Sequence, residues 1–590
     1  MSQQLQSQQI SEEQHFHQGL TESLIDDLAI WLAQQLYWQP PSSNNRLAAD
    51  CAHPRVVYLT LADDCGDYVT AAGMGLGLQA AAKVACKKAM GQARQLRLSV
   101  NQAKIDVVMR AAVYSPKRVA LNQGLTTDES ILGFACNSLD NGWLPEETLR
   151  YRLLKKNGGI HYKRTRLAIG SRLGVKNLKA KKHRLYGFTT ASRYVTKSAI
   201  AQEWGHQTEV KPNVLRLYRG HNTQFQVTAD VCFARARAGA DYLARQIRED
   251  GSFRYMYQAG PDDVTDEYNL LRHIGSLWSL LDFYREEPTA EVKAASYRAL
   301  DYVYQHIDEV APGVLATNEN NFVKLGGNGL GLLTLSLFHE LFADKQALET
   351  AQGLARWIVN SQNEQGEFTI HKQGLKTGKV QPFISDYYPG EAIFGLMRLF
   401  HQDGNNEWRD AAVAASQWLI NVRDKGKALV ELEHDHWLLY GLNEVYRVSP
   451  QPLFIEHVGK LIKAMRDTQH GADSPHMDWR GGWYNPPRTT PAATRCEGLL
   501  ASWHLLNNHP DLTTREELAD LQQMIIRSLH FQFQNQFVGE KLMYLTNPQQ
   551  AFGGFHSNLT NWHIRIDYVQ HSLSAMLAYW RLFREQGKYD

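Results

Sequence analysis

Ser385-Asp-Tyr-Tyr-Pro-Gly-Glu-Ala-Ile-Phe-Gly-Leu-Met-Arg-Leu-Phe400 is the stretch that decides the fold. A polar, aromatic cluster containing Pro and Gly runs directly into an apolar helical pattern, so ionisable groups stand at the start of a helix with too little charge to face water. The pattern predicts a buried helix.

The same arrangement recurs along the C-terminal two-thirds of the chain. It appears at Asp266–Leu281, Lys324–Leu335, Glu433–Leu442, Thr494–Trp503 and from His563 onward, six occurrences with the first stretch. Between them lie helices that are apolar on one side only, at 230–249, 289–308, 345–362, 406–423, 452–469 and 513–536. In Glu349–Ile358, for example, Ala351, Leu354 and Ile358 share a face while Glu349, Gln352 and Arg356 stay wet. Six amphipathic helices alternating with six apolar ones predict a closed ring of helical hairpins. A single hairpin would leave its inner face uncovered, so stability requires closure.

The remaining sequence divides around this ring. The 590 residues exceed one compact core. The expected organisation is multidomain: a disordered tail over 1–18, a small mixed α/β N-terminal domain over 19–150, a basic linker or strapping segment over 151–227, and an all-α (α/α)6 toroid over 228–590. Strands are expected at Arg55–Leu61 and Ile105–Tyr114. With 43% hydrophobic and 21% charged residues the composition is that of a globular protein, and a net charge of +2 excludes a chain built as a whole to bind polyanions. The tail lacks the apolar core of a secretory signal, and no run of about twenty apolar residues occurs, which predicts a cytoplasmic protein with no membrane partner. The six cysteines form no close pair, so neither a metal nor another cofactor is expected.

Residues 152–184 hold twelve Lys or Arg and no acid, a run suited either to gripping a polyanion or to a solvated linker.

Chemistry is expected at the mouth of the ring, where unpaired N–H groups of the inner helices converge and favour anions. Glu391 and Glu497 lie just inside apolar helices, where a charge is costly without a partner or a purpose. With Asp435, His436, His273 and Tyr388 they form the candidate acid/base set. Arg272 and Arg495 are candidates for clamping a carboxylate or phosphate, or for neutralising the glutamates. Asp266, Lys324, Asn328 and Asp567 complete the rim as candidate substrate-binding residues, and Trp483 belongs to a glycine-flanked aromatic loop suited to the apolar face of a sugar. An acid at a helix start also reads simply as a cap.

Tyr388-Pro-Gly-Glu391, Asp435-His-Trp437 and Thr494-Arg-Cys-Glu497, opening alternate helices, resemble the six-hairpin (α/α)6 toroids that act on carbohydrates: glycoside hydrolases, polysaccharide lyases and sugar epimerases. The resemblance spans about 228–590. It implies general acid/base chemistry on a saccharide or uronic-acid-containing substrate. A non-catalytic scaffold gripping an acidic polymer or a protein through the basic segment is the alternative, with terpene-cyclase-like and lanthionine-synthetase-like rings as minor ones. The order of elements in the first 150 residues, with Gly124-Leu-Thr-Thr and Gly142-Trp-Leu-Pro, faintly resembles the small α/β family associated with Alport-syndrome deletions.

Overall fold

The computed structural model describes residues 13–40, 46–114, 133–153, 161–173, 185–209 and 211–585. Most of the basic run, including Lys179, Lys181 and Lys182, and residues 121–132 of the stretch behind the Alport-family resemblance lie outside the described residues. Within the run, Tyr162–Leu173 is a helix.

The N-terminal part is one antiparallel sheet. Its strands are β1 (Glu13–His15), β2 (Pro54–Ala62), β3 (Tyr68–Leu76), β4 (Gln102–Tyr114), β5 (Gly133–Cys136), β6 (Ser138–Trp143), β7 (Leu185–Thr196) and β8 (Val214–Leu217). The order is β3-β2-β4-β7-β5-β6, with β1 also pairing with β4 and β8 with β7. Two boundaries expected from sequence are corrected here. Residues 13–15, assigned to the tail, pair with Arg110–Ala112. The segment after 150, whose part from 185 on also reads from sequence as a few strands, does hold strands there: β7 pairs with the whole of β4 and is central to the sheet, and β8 pairs with β7, so over 185–217 it is part of the sheet and not a linker. Helices α1 (Glu22–Gln35) and α2 (Leu78–Gln95) cover one face and enclose an apolar core with Val57, Leu59 and Ile105.

From Thr228, whose hydroxyl caps the first ring helix, the chain forms six hairpins. With Tyr162–Leu173 as α3, the outer helices are α4 (Ala229–Gln246), α6 (Ala290–Tyr304), α8 (Lys345–Asn360), α10 (Asn406–Trp418), α12 (Pro452–Thr468) and α14 (Arg515–Phe533). The inner helices are α5 (Leu270–Glu286), α7 (Leu325–Phe342), α9 (Tyr388–Asp403), α11 (His436–Val448), α13 (Thr489–Asn507) and α15 (Ile566–Phe583). Each inner helix packs on the next and α15 closes on α5, which makes the ring a closed (α/α)6 toroid. The burial pattern follows from the sequence. On α7, Leu325 through Phe338 are all buried, whereas α8 buries only one stripe. The ring is also tied by ions: Arg581 of α15 reaches Asp282 (2.9 Å) and Glu286 (2.7 Å) of α5.

The other face of the sheet meets the ring's last interhelical segment. Tyr544 donates to Thr60 Oγ1 (3.0 Å), and its ring stands edge-on to Tyr68. After β8, Arg219 holds Asp478 through two bonds of 2.8 and 2.9 Å. No helix among the described residues is long and apolar enough to cross a membrane.

Candidate active site

A cavity of about 470 Å³ opens where the inner helices begin. Its walls carry Arg272 of α5, Tyr388 and Glu391 of α9, His436 of α11, Arg495 of α13, and Asp567 and His571 of α15. The helix starts therefore converge as the repeat predicted.

Glu391 sits on the first turn of α9, 3% exposed, and its Oε2 has no hydrogen-bond partner among the described residues. Burial, and then the neighbouring Asp435, push its carboxyl well above the ordinary range, so it is held protonated. The space it occupies exists because residue 326 is glycine: a Cβ there would stand 2.1 Å from Glu391 Oε2 and 2.3 Å from the Tyr388 ring. Burial and Glu391 in turn raise the Tyr388 phenol.

His436 and His571 stand edge-to-face, with ring centroids 5.1 Å apart. Among the described residues neither nitrogen of His436 finds a hydrogen-bond partner, and burial, with His571 and Arg495 nearby, holds it neutral, well below the ordinary imidazole value. His571 Nδ1 lies 2.8 Å from Glu497 Oε2. That contact orients the ring and leaves Nε2 for the cavity. Glu497 is fully buried behind the wall; burial raises its carboxyl, with His571 opposing. His436 Nε2 is 3.8 Å from the same oxygen, too far for a hydrogen bond.

Asp567 is an ionised counter-charge. Burial alone would raise it, but Arg565, holding both its oxygens at 2.5 and 2.8 Å, and Arg272 at 3.2 Å outweigh burial and lower it. Arg272 also donates to the Tyr255 hydroxyl.

Several expected site residues stand elsewhere. Asp435 is fully buried and caps α11, its Oδ1 accepting from the N–H groups of Trp437 (3.0 Å) and Leu438 (3.2 Å). His273 is fully buried between helices, bonded to the Tyr268 hydroxyl (2.7 Å) and the Ala299 carbonyl (2.9 Å). Asn328 is fully buried and accepts from the Thr317 backbone (2.7 Å) and hydroxyl (2.9 Å). The Trp483 indole is spent on the Met465 carbonyl (2.9 Å), Lys324 pairs with Glu319, and Asp266 is exposed outside the cavity lining. His571 and Arg488, both lining the cavity, were not singled out from sequence. His571 lies one turn after Asp567 on the same helix, the spacing that would have found it.

His436, Glu497 and His571 also form a group that could hold a metal ion, with ligand atoms all within 4.8 Å. Cysteine spacing could not have shown it, because the three come from separate inner helices.

No family model matches this sequence, and no curated protein matches it. The likeness of the first 150 residues to the Alport-associated family is therefore unsupported. Among solved structures, a D-mannose isomerase matches at 13% identity with a TM-score of 0.46, over 60% of this chain and 97% of that one. Cellobiose 2-epimerase from Bacillus thermoamylovorans matches at 11% identity and 0.46, over 58% and 98%. An α-1,6-mannanase from Salegentibacter matches at 12% and 0.41, over 59% and 98%. No activity follows for this chain from resemblances of that strength.

Proposed function

We propose that the protein is an enzyme that moves protons on a sugar, of the epimerase or aldose–ketose isomerase type. The observation that carries this reading is the pair of imidazoles in edge-to-face contact on one wall of the cavity, His571 oriented by Glu497 and His436 held neutral with no hydrogen-bond partner among the described residues. Glu391, held protonated in the same wall, supplies an acid.

In this reading one imidazole removes the proton from the carbon beside the sugar carbonyl while Glu391 donates to the carbonyl oxygen. An enediol results. The imidazolium so formed returns the proton to the neighbouring carbon, or to the other face of the same carbon once the enediol has turned, while the Glu391 carboxylate takes back the proton of the hydroxyl that becomes the new carbonyl. Glu497 stabilises the imidazolium that forms on His571, as a carboxylate does in a base dyad. The Arg272 and Arg565 pair, already engaged with Asp567, keeps that carboxylate from acting as a second free acid or nucleophile, which favours proton transfer over glycoside hydrolysis.

The test is incubation of the full chain with a panel of free aldoses, ketoses, reducing disaccharides and aryl glycosides, with products separated by chromatography. The proposal expects an epimer or isomer of a reducing sugar, formed about 10²–10⁴ times more slowly by His571→Asn. Hydrolysis of a glycoside without isomerisation of any reducing sugar would overturn it.

A further inference from the structure

The positive charge of the cavity is not evenly answered. Four guanidiniums line it, those of Arg272, Arg488, Arg495 and Arg565, against two acids, Glu391 and Asp567. Glu391 is held protonated, so Asp567 is the ionised carboxylate among the lining residues, and it is shared by Arg272 and Arg565. Among the described residues no carboxylate stands within ion-pair distance of the other two arginines.

Arg495 is 7% exposed, and each of its bonds goes to a neutral group. Its Nε donates to His434 Nδ1 (2.7 Å), one terminal nitrogen to the Pro491 carbonyl (3.1 Å), and the other to the Tyr484 hydroxyl (3.1 Å). Burial and Arg495 itself hold His434 at about 4, so that ring is a neutral acceptor. Arg488 is exposed at the mouth, and both guanidiniums lie against the Tyr484 ring, 4.8 and 5.0 Å from its centre. Two like charges are thus gathered around one aromatic ring, one of them buried. A buried cation without a counter-charge is costly, and ordinarily an anion resolves it.

The helix beneath adds to the imbalance. Arg488 is the N-cap of α13, no side chain caps that end, and its first turn holds no acid. The macrodipole there is positive, so cations are disfavoured and an oxyanion is favoured. Thr490, on that turn, also faces the cavity.

We infer that Arg488 and Arg495, with Tyr484 and Thr490, form a subsite for an oxyanion, and that the substrate is a sugar bearing a carboxylate or a phosphate group. The identification of the ligand as a sugar rests on the function proposed above; the oxyanion subsite itself does not. With Arg488 at the mouth and the His436–His571 pair on the wall, the charged group anchors near the entrance while the reacting carbons reach the imidazoles. A planar guanidinium matches either oxyanion through two parallel bonds.

The experiment is calorimetric titration of the full chain with glucose, glucuronate, glucose 6-phosphate and inorganic phosphate, repeated on Arg488→Gln and Arg495→Gln. Arg488 is exposed, so its variant remains informative if the buried Arg495→Gln fails to fold. The subsite predicts that at least one of the two anionic sugars binds tenfold or more tightly than glucose, that inorganic phosphate competes with it, and that either variant weakens it about ten- to hundredfold. Tighter binding of glucuronate identifies a carboxylate, and of glucose 6-phosphate a phosphate. Equal binding of glucose and both anions, binding of neither anion, or anion binding unchanged in Arg488→Gln would overturn the inference. The same samples in D2O separate the two claims. Arginine-dependent binding without exchange of any sugar C–H would sink the proton-transfer reading and leave the subsite standing; exchange into neutral sugars with no preference for anions would do the reverse.

Discussion

Asp435→Asn separates a buried titrating cap from a catalytic acid. The wild-type carboxyl is fully buried, and burial, opposed by Arg423 and by the two N–H groups it caps, pushes it from the ordinary 3.8 up to about 7. In the unfolded chain the proton leaves above pH about 4, and in the folded one above about 7. A raised carboxyl therefore costs stability as pH rises: the loss runs at about 1.4 kcal/mol per pH unit through that window and totals about 4 kcal/mol above it. Asparagine keeps the Oδ1 cap and cannot titrate. Its amide replaces Oδ2, which has no partner, at a pH-independent cost of about 1–3 kcal/mol. Urea unfolding of both proteins from pH 4 to 8 should show the variant gaining on the wild type by about 3–4 kcal/mol across the range, with sugar turnover retained at pH 7. A stability difference that stays flat, or that widens in favour of the wild type as pH rises, refutes the assignment; loss of turnover in a folded variant returns Asp435 to the catalytic set.

Gly326→Ala should place a methyl against Glu391 Oε2 and the Tyr388 ring, destabilising the fold by about 1–3 kcal/mol and lowering turnover far more than an alanine elsewhere on α7, checked by melting and rate together. Arg581→Ala removes the cation joining Asp282 and Glu286 across the ring closure. Because these side chains are partly exposed, the expected loss is about 2–3 kcal/mol, read by chemical denaturation. Turnover should survive dialysis against a chelator: His571 Nδ1 and Glu497 Oε2 are 2.8 Å apart, a direct hydrogen bond, whereas two ligands about 2.0–2.1 Å from one tetrahedral ion stand about 3.3 Å apart. Loss on chelation with recovery on adding zinc would contradict that.

The ring was legible because its signal is local and repeated. Each inner helix announces itself by a polar start and an apolar body, and the all-buried run of α7 is that pattern in its strongest form. The sheet was less so. β7 pairs with β4 across 70 residues of intervening chain, and nothing in Leu185–Thr196 alone says which strand it joins. Among the candidate residues, Glu391, His436 and Arg272 stand on first turns and line one cavity because the helix starts converge at the mouth; Arg495 lines it from the second turn of α13, whose start at Thr489 precedes the one expected at Thr494. Rotation about the helix axis was not readable. His273 stands four residues after the N-cap Asn269 yet turns outward to the Ala299 carbonyl, whereas His436, directly after its N-cap Asp435, turns inward. Glu497 was singled out for its costly position, but its partner His571 lies on another helix and could be recognised only in three dimensions.

The central claim is tested most directly by following solvent hydrogen at carbon. The full chain in D2O, given reducing sugars with and without a carboxylate or phosphate group, is monitored by proton NMR at the position beside the carbonyl. The account predicts loss of that C–H signal with the wild type, slowed about 10²–10⁴-fold in His436→Asn, His571→Asn and Glu391→Gln variants that remain folded. Turnover of a sugar with the C–H signal intact, or exchange undiminished in all three variants, would contradict it.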